Sequence, residues 1–322
     1  MSTSRPSLPV LPLLARRPEH RDETWTSALT EAFEGTAIVR AFEDLSAEER
    51  ALAEVAIVAN PDPAQLDTLP RLKWVHSLWA GVERLVEELQ RPDLEIVRLS
   101  DPNMADIMAE AVLAWTLYLH RDMPAYARQQ RKTIWQDLDY VPAGERRVTL
   151  LGLGYLGSVA AARLLAQGFQ VQGWSRSPKD IPGVACHSGA DGLREVLSRT
   201  DIAVMLMPLT PDTRGILNDE TLGLMPRGAQ LINFARGPLI DDAALLRALD
   251  SGQIGHAVLD VFAREPLGAA DPYWQHPSVT VLPHISGPTT RASSAAVVAQ
   301  NIRTWWATGT LPASRVDRTR GY

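Results

Sequence analysis

The sequence predicts two α/β domains, each built on a parallel sheet, and three observations predict it. At 322 residues, 45% of them apolar, the chain is too long for one typical domain and long enough to bury a separate core in each of two. Short aliphatic runs alternate with helical patterns in two separate series, the sign of parallel βα units. Between the series, from about Asp101, the pattern changes to one long helical stretch.

The elements follow in order. Leu8 to Leu14 is expected to be the first strand. The surrounding SLPVLPLLARRPEH is apolar, but its two internal prolines, late arginines and lack of a small-residue cleavage site argue against a signal peptide. ETWTSALTEAF reads as a helix, and residues 36 to 42, 55 to 59, 73 to 79 and 95 to 99 as strands. Asp101 supplies an N-cap and Pro102 a first-turn proline for a helix whose apolar face is Met104, Ile107, Met108, Ala111, Val112 and Trp115. The runs VTLLGLG, VQGWS, IAVMLM, AQLINFA, HAVLDV and VTVLP are then buried strands of a doubly wound sheet, each ended by Gly, Pro or a polar turn. Residues 289 to 307 are helical and apolar on one side; too short to fold alone, they are expected to pack on one of the two domains. No internal repeat is present.

Composition excludes several classes. The net charge is -6 and no basic run could track a phosphate backbone or a membrane surface, so neither nucleic acid nor membrane is an expected partner. No apolar run reaches the roughly eighteen residues of a membrane span. Cys186 is the single cysteine, so no intramolecular disulfide and no paired-cysteine zinc site can form. A reducing compartment, the cytoplasm, and no metal are the expectations.

Strand VTLLGLG runs into GLGYLG, which spaces Gly152, Gly154 and Gly157 as GxGxxG ahead of the helical SVAAARLLAQG. Such glycines also occur in ordinary turns; the strand before and the helix after make this one a dinucleotide site. The first permits the tight turn and the second a close approach of pyrophosphate. The third lets helix and strand pack, and the helix start at Tyr155, Leu156 and Gly157 faces the phosphates. Strand VQGWS ends eighteen residues past Gly157, where selection for NAD normally places an acid. Ser175, Arg176 and Ser177 stand there instead. A guanidinium flanked by hydroxyls suits a 2′-phosphate, so NADP(H) is the preferred cofactor, with NAD(H) possible; the alternative is a solvated arginine in a turn.

Three charged residues follow later strands: Arg236 in NFARGPLIDD, Glu265 in LDVFAREP and His284 in VLPHISGPTT. In open α/β sheets the carboxyl ends of strands face the ligand crevice. Reducing a 2-keto acid requires a cation for the carboxylate and carbonyl, an acid for the new alkoxide and a hydride donor held against the carbon. Arg236, His284 and the nicotinamide cofactor meet those needs, with Glu265 fixing the imidazole tautomer and favouring its protonated form. Singly, each residue has a plainer reading as a surface ion pair or a packed side chain. Of the seven histidines only His284 joins an apolar strand to a Ser-Gly-Pro-Thr turn; His276, in WQHPS, looks like a loop residue.

From Leu150 to about Thr290 the chain resembles the D-isomer-specific 2-hydroxyacid dehydrogenases, within them the glyoxylate/hydroxypyruvate reductase A branch. The resemblance rests on LGLGYLG, WSRSP, MPLTPDTRGILN, LINFARGPLIDDAALLRALDSG, AVLDVFAREPL and YWQHPSVTVLPHISGPTT in order. It implies Arg236, Glu265 and His284 as the catalytic set. It also implies that Ala235 and Asp260 position the nicotinamide carboxamide, that Pro208 and Thr213 line the cofactor and that Ser286 and Gly287 lie beside the nicotinamide. SLWAGVERL is similar to the family's substrate loop, with backbone N–H groups around Ala80, Gly81 and Val82 receiving the carboxylate, or else a simple strand-to-helix turn. Trp79 and Trp135 are candidates for the substrate pocket, for core packing or for a dimer contact. VANPDPAQL lacks the tryptophan expected before its prolines, which bears on substrate identity.

The resemblance implies two Rossmann-like/flavodoxin-like domains: a substrate domain of residues 1–99 and 288–322, and a dinucleotide-binding domain of residues 100–287 inserted in it. Substrate would bind between them, and the helix beginning near Asn103 would lead into a homodimer contact. The expected activity is NADPH-dependent reduction of glyoxylate and hydroxypyruvate. Alternatives are a dehydrogenase for a bulkier 2-keto acid, formate or phosphite dehydrogenases on the same scaffold, and, in a different class, a non-catalytic NAD(H)-sensing corepressor-like binding protein.

Overall fold

In the computed structural model, which describes residues 8–16 and 23–318, the chain divides into two units. The first runs to Asn103 and resumes at Thr289; the second is Met104–Pro288.

The first unit holds strands β1 (Val10–Ala15), β2 (Ile38–Ala41), β3 (Val55–Ala59), β4 (Trp74–Ser77) and β5 (Glu95–Val97) in the parallel order β2-β1-β3-β4-β5. Its helices are α1 (Glu23–Ala32), α2 (Ala47–Leu52), α3 (Pro63–Asp67) and α4 (Glu83–Glu88). β3 is buried at every residue, as befits a central strand covered on both faces. The predicted run 36 to 42 is shorter as a strand, because Phe42 turns into a 3₁₀ turn and sinks its ring into the core.

α5 (Pro102–His120) starts as expected: Asp101 Oδ1 accepts the Asn103 N–H at 2.9 Å. Its buried face is Met104, Ala105, Met108, Ala109, Val112, Thr116 and Leu119, while Ile107, Ala111 and Trp115 are only half-buried. The expected apolar face is thus rotated by about one residue. α6 (Met123–Arg131) follows.

The second sheet consists of β6 (Arg147–Leu151), β7 (Gln170–Ser175), β8 (Ala185–Ser188), β9 (Ile202–Met205), β10 (Ala229–Asn233), β11 (Ile254–Leu259) and β12 (Val279–Val281), all parallel, in the order β12-β11-β10-β9-β6-β7-β8. The chain steps outward from β6 through β7 to β8, then returns to β9 and proceeds the other way. The switch point therefore lies between β6 and β9, where open α/β sheets bind ligands. Alternate residues of β9 serve two cores: Ala203 and Met205 pack in one layer, Ile202 and Val204 in the other. α7 (Tyr155–Ala166), α8 (Gly189–Leu197), α9 (Asp219–Leu224) and α10 (Asp242–Asp250) complete the layers. β8 has no counterpart in the sequence reading: it is a half-exposed edge strand whose ACHS carries no apolar run.

α11 (Arg291–Thr308) belongs to the first unit, where it packs against α1. Arg303 Nη2 donates to Ala32 O at 2.6 Å, the Trp305 and Trp74 rings meet edge-on at 5.5 Å, and His76 and Asn301 share a 2.9 Å hydrogen bond. The two places where the chain changes unit are fastened together inside this one. Asp101 Oδ2 accepts from Ser293 Oγ (2.6 Å) and Ser294 Oγ (3.1 Å), and Asn103 Nδ2 donates to Thr290 Oγ1 at 2.8 Å. Among the described residues no helix is long and apolar enough to cross a membrane.

Candidate active site

The glycine turn after β6 is built by steric exclusion. Gly152 has φ +117°, and a Cβ there would lie 2.7 Å from the backbone of Leu206 and Met207. At Gly157 a Cβ would come within 2.0 Å of the Gly152 carbonyl, so the third glycine is what lets α7 start against the turn. Gly154 differs: a Cβ would meet nothing within 4 Å, so this glycine borders open space. The first N–H groups of α7, at Tyr155, Leu156 and Gly157, lack intrahelical acceptors and carry the positive end of the helix dipole. Donors beside open space fit the diphosphate of a dinucleotide.

At the end of β7, Ser175 Oγ donates to Ser177 O at 2.8 Å, and Arg176 and Ser177 are exposed. Arg176 Nη1 lies 3.9 Å from Asp212 Oδ2. The loop that follows β9 is held from within. The buried Thr213 hydroxyl accepts the Thr210 N–H at 2.8 Å and donates to Pro208 O at 2.8 Å. Thr213 therefore shapes the loop, while Pro208 is half-buried.

Three later strands deliver the charged residues to one edge. After β10, buried Asn233 accepts the Ala235 N–H through Oδ1 (3.1 Å) and donates from Nδ2 to Arg236 O (3.0 Å). Arg236 Nη1 in turn donates to Ala235 O at 2.7 Å. Gly237 is required here, because a Cβ would lie 2.0 Å from the carbonyl carbon of Phe262. After β11, Asp260 is 2% exposed and accepts two backbone N–H groups, from Ile285 at 2.8 Å and Ser286 at 2.9 Å. Those bonds hold the turn after β12 in which His284 takes the left-handed φ of 56°. Such a conformation is costly for a residue with a Cβ and persists where its surroundings enforce it.

Glu265 Oε1 accepts the Phe262 N–H at 2.9 Å, and His284 Nδ1 donates to Glu265 Oε2 at 2.7 Å. An ionised carboxylate only accepts, so Nδ1 carries the proton and Nε2 is left to exchange one. The bond to Glu265 raises the His284 pKa, burial opposes it, and the charge of Glu265 raises it further against that of Arg236. Burial would raise the Glu265 pKa, but the bonds from His284 and Phe262 and the charges of His284 and Arg236 bring it below its usual value. The result is a hydrogen-bonded histidine–carboxylate pair, each partner favouring the charged form of the other, within the field of the Arg236 guanidinium. The Ser286 hydroxyl is buried and has no hydrogen-bond partner among the described residues, and Gly287 lies against the Met108 side chain.

In the first unit, Trp79, Ala80, Gly81 and Val82 link β4 to α4. Trp79 N donates to Ser77 Oγ at 3.0 Å and its ring meets Trp25 edge-on at 6.0 Å. Val82 points into the core. Trp135 lies in the irregular segment after α6 and is fully exposed. His276 is a loop residue whose Nδ1 accepts the Ser278 N–H. Sequence reasoning missed two positioning groups: Asn233, and the backbone grip of Asp260. Asn233 had a signal, a polar residue closing an apolar strand; the grip of Asp260 had none, since its partners lie about 25 residues away.

A parallel sheet with this switch point, glycine turn and helix start defines a dinucleotide-binding α/β protein. Residues 113–286 match the model of the D-isomer specific 2-hydroxyacid dehydrogenase NAD-binding domain. Glyoxylate/hydroxypyruvate reductase A of Serratia proteamaculans is 38% identical over 276 residues, 84% of this chain and 88% of the relative. The protein of that name from Yersinia enterocolitica is 37% identical over the same length and shares. Among solved structures, a D-isomer specific 2-hydroxyacid dehydrogenase of Xanthobacter autotrophicus Py2 in complex with NADPH and MES has a TM-score of 0.90 and 40% identity, covering 98% of this chain and 100% of that one. An NADPH-dependent glyoxylate/hydroxypyruvate reductase of Sinorhizobium meliloti in complex with NADP and sulfate has a TM-score of 0.85 and 35% identity, with the same coverage. The chain belongs to the D-isomer specific 2-hydroxyacid dehydrogenase family and is an oxidoreductase.

Proposed function

We propose that this protein reduces small 2-keto acids, glyoxylate and hydroxypyruvate, to 2-hydroxy acids with NADPH, NADH being the weaker cofactor. The observation that carries the reading is the 2.7 Å pair of His284 and Glu265 on a strained turn, with the charge of Arg236 acting on both. The names of the Serratia, Yersinia and Sinorhizobium relatives support it.

Bound NADPH supplies the hydride. Arg236 binds the substrate carboxylate and polarises the keto oxygen, and its turn is kept in place by Asn233. His284 gives its Nε2 proton to the alkoxide as charge develops there, while the Nδ1 proton stays on the ring, donated to Glu265, whose charge stabilises the protonated imidazole. Residues 100–287 form the cofactor domain in this reading: Gly152, Gly154, Tyr155, Leu156 and Gly157 hold the diphosphate, and Ser175, Arg176 and Ser177 the 2′-phosphate. Pro208 and Thr213 line the cofactor, and Ala235, Asp260, Ser286 and Gly287 surround the nicotinamide. Residues 1–99 and 288–322 form the substrate domain, with Trp79 and the N–H groups around Ala80, Gly81 and Val82 toward the carboxylate. The setting is the cytoplasm, where half-buried Cys186 stays reduced.

Initial rates of NADPH and NADH oxidation with glyoxylate, hydroxypyruvate, pyruvate and phenylpyruvate test this. Fastest turnover with NADPH and the small acids is expected. A preference for phenylpyruvate would move the assignment to bulkier acids, and no turnover with any pair would refute it. Arg236→Ala should lower kcat/KM roughly a hundredfold or more, affecting both KM and kcat, because it removes a charged partner from ground and transition states.

We also propose that the protein is a homodimer. Met123, Tyr126, Ile134, Trp135 and Tyr140 leave large apolar surface exposed along one short stretch of chain. Light scattering at micromolar concentration should give about twice the 35.3 kDa chain mass; a mass of one chain refutes the dimer.

A further inference from the structure

The order β9-β6-β7 sets the glycine turn after β6 between two loops, one carrying Arg176 after β7 and the other, after β9, carrying Asp212. The two side chains meet, Arg176 Nη1 lying 3.9 Å from Asp212 Oδ2. Asp212 is presented by a fixed turn. Thr213 N and Arg214 N both donate to Thr210 O, at 3.1 and 3.0 Å, and the Thr213 hydroxyl ties Thr210 N to Pro208 O. The Asp212 side chain is 79% exposed and that of Arg176 33%, so the carboxylate is the more solvent-accessible of the two. Ser175, Arg176 and Ser177 put no acid at the end of β7; the acid comes instead from the opposite half of the sheet.

We propose that Asp212 is a specificity-determining residue for the cofactor, holding the preference for NADPH over NADH below the level that Arg176 alone would set. A 2′-phosphate carries nearly two negative charges, so it is repelled by Asp212 and must share Arg176 with it. A ribose 2′-hydroxyl is neutral and can donate to the same carboxylate. One carboxylate thus weakens one cofactor and suits the other. The proposal rests on the reading of Arg176 as the cation for the 2′-phosphate.

The experiment is equilibrium binding of NADPH, NADH and 2′,5′-ADP to wild type, Asp212→Asn and Arg176→Ala, in dilute buffer and in about 0.5 M salt. Asp212→Asn should bind NADPH and 2′,5′-ADP about two- to fivefold more tightly, the size expected of an exposed charge pair, without tighter NADH binding. The gain should shrink in salt. Arg176→Ala should loosen NADPH and 2′,5′-ADP selectively. If it does, and Asp212→Asn keeps the wild-type NADPH to NADH ratio, the proposal is overturned and the Arg176 reading stands. If Arg176→Ala keeps the wild-type ratio, the Arg176 reading falls and takes the proposal with it.

Discussion

His256 lies within β11 and His284 in the turn that follows the neighbouring strand β12, yet their surroundings shift their pKa values in opposite directions. His256, within β11, is 4% exposed; its Nε2 bonds Thr280 Oγ1 at 2.9 Å and its Nδ1 faces Arg128 Nη1 at 3.5 Å. Burial and the charges of Arg128 and His276 push its pKa down to about 4. His76 in β4, fully buried between Ser77 O and Asn301, is likewise pushed down to about 4 by burial, against the bond to Ser77. His284, more than half exposed and bonded to a carboxylate, moves up. Burial and the partner together, not the residue type, decide whether a histidine fastens the fold or holds an exchangeable proton.

The sharpest way to break this comparison is His284→Ala. Keto-acid turnover should fall about 10²- to 10⁴-fold, the range for loss of a positioned acid, while NADPH binding persists. Turnover near wild type would mean that the proton comes from elsewhere.

Acid stability separates the two kinds next. His76 and His256 have folded pKa values near 4 against about 6.5 unfolded, so the unfolded chain binds protons first as pH falls. Their contribution is whole above pH 6.5 and is lost between about 6.5 and 4, about 3 kcal/mol apiece. His284, with its raised folded pKa, has the opposite sign: its contribution is present below the unfolded value and fades as pH rises through the folded one. Urea unfolding at pH 7.5, 6 and 5 should show the loss, and His76→Asn should make it shallower. A flat profile in wild type would contradict the two low values.

The smallest expected effect sharpens the comparison. Glu265→Gln keeps the shape of the His284 partner but removes its charge, so the imidazolium should lose its proton at lower pH. The alkaline limb of the kcat/KM profile for reduction should move to lower pH, with a matching loss of rate on that limb. An unmoved limb would show that the charge of Glu265 does not set the His284 proton.

These differences also show what a sequence can display. Gly152 and Gly157 are legible because a Cβ there would lie 2.7 and 2.0 Å from backbone atoms, so the constraint is written at the position itself. β3 and β9 are legible because burial on both faces demands unbroken apolar runs. β8 is not, since an edge strand can carry Cys186 and His187 half in solvent. The half-burial of Ile107, Ala111 and Trp115 on α5 escaped for a related reason: apolar side chains mark a face without saying how completely it is covered. His284 is visible as a polar residue ending an apolar strand, but the grip that bends its backbone is a tertiary relation to Asp260, and the facing of Asp212 and Arg176 across the switch point is another.

The knot of Asp101, Asn103, Thr290, Ser293 and Ser294 gives the molecule a modular grammar. The point where the chain leaves the first unit and the point where it returns lie side by side, so residues 104–288 are a parenthesis rather than a continuation. A short peptide joining Asn103 to Thr289 would close the first unit without rerouting any of its strands. The cofactor-binding half could then be exchanged for another insert of matching ends, as a cassette is changed in its socket.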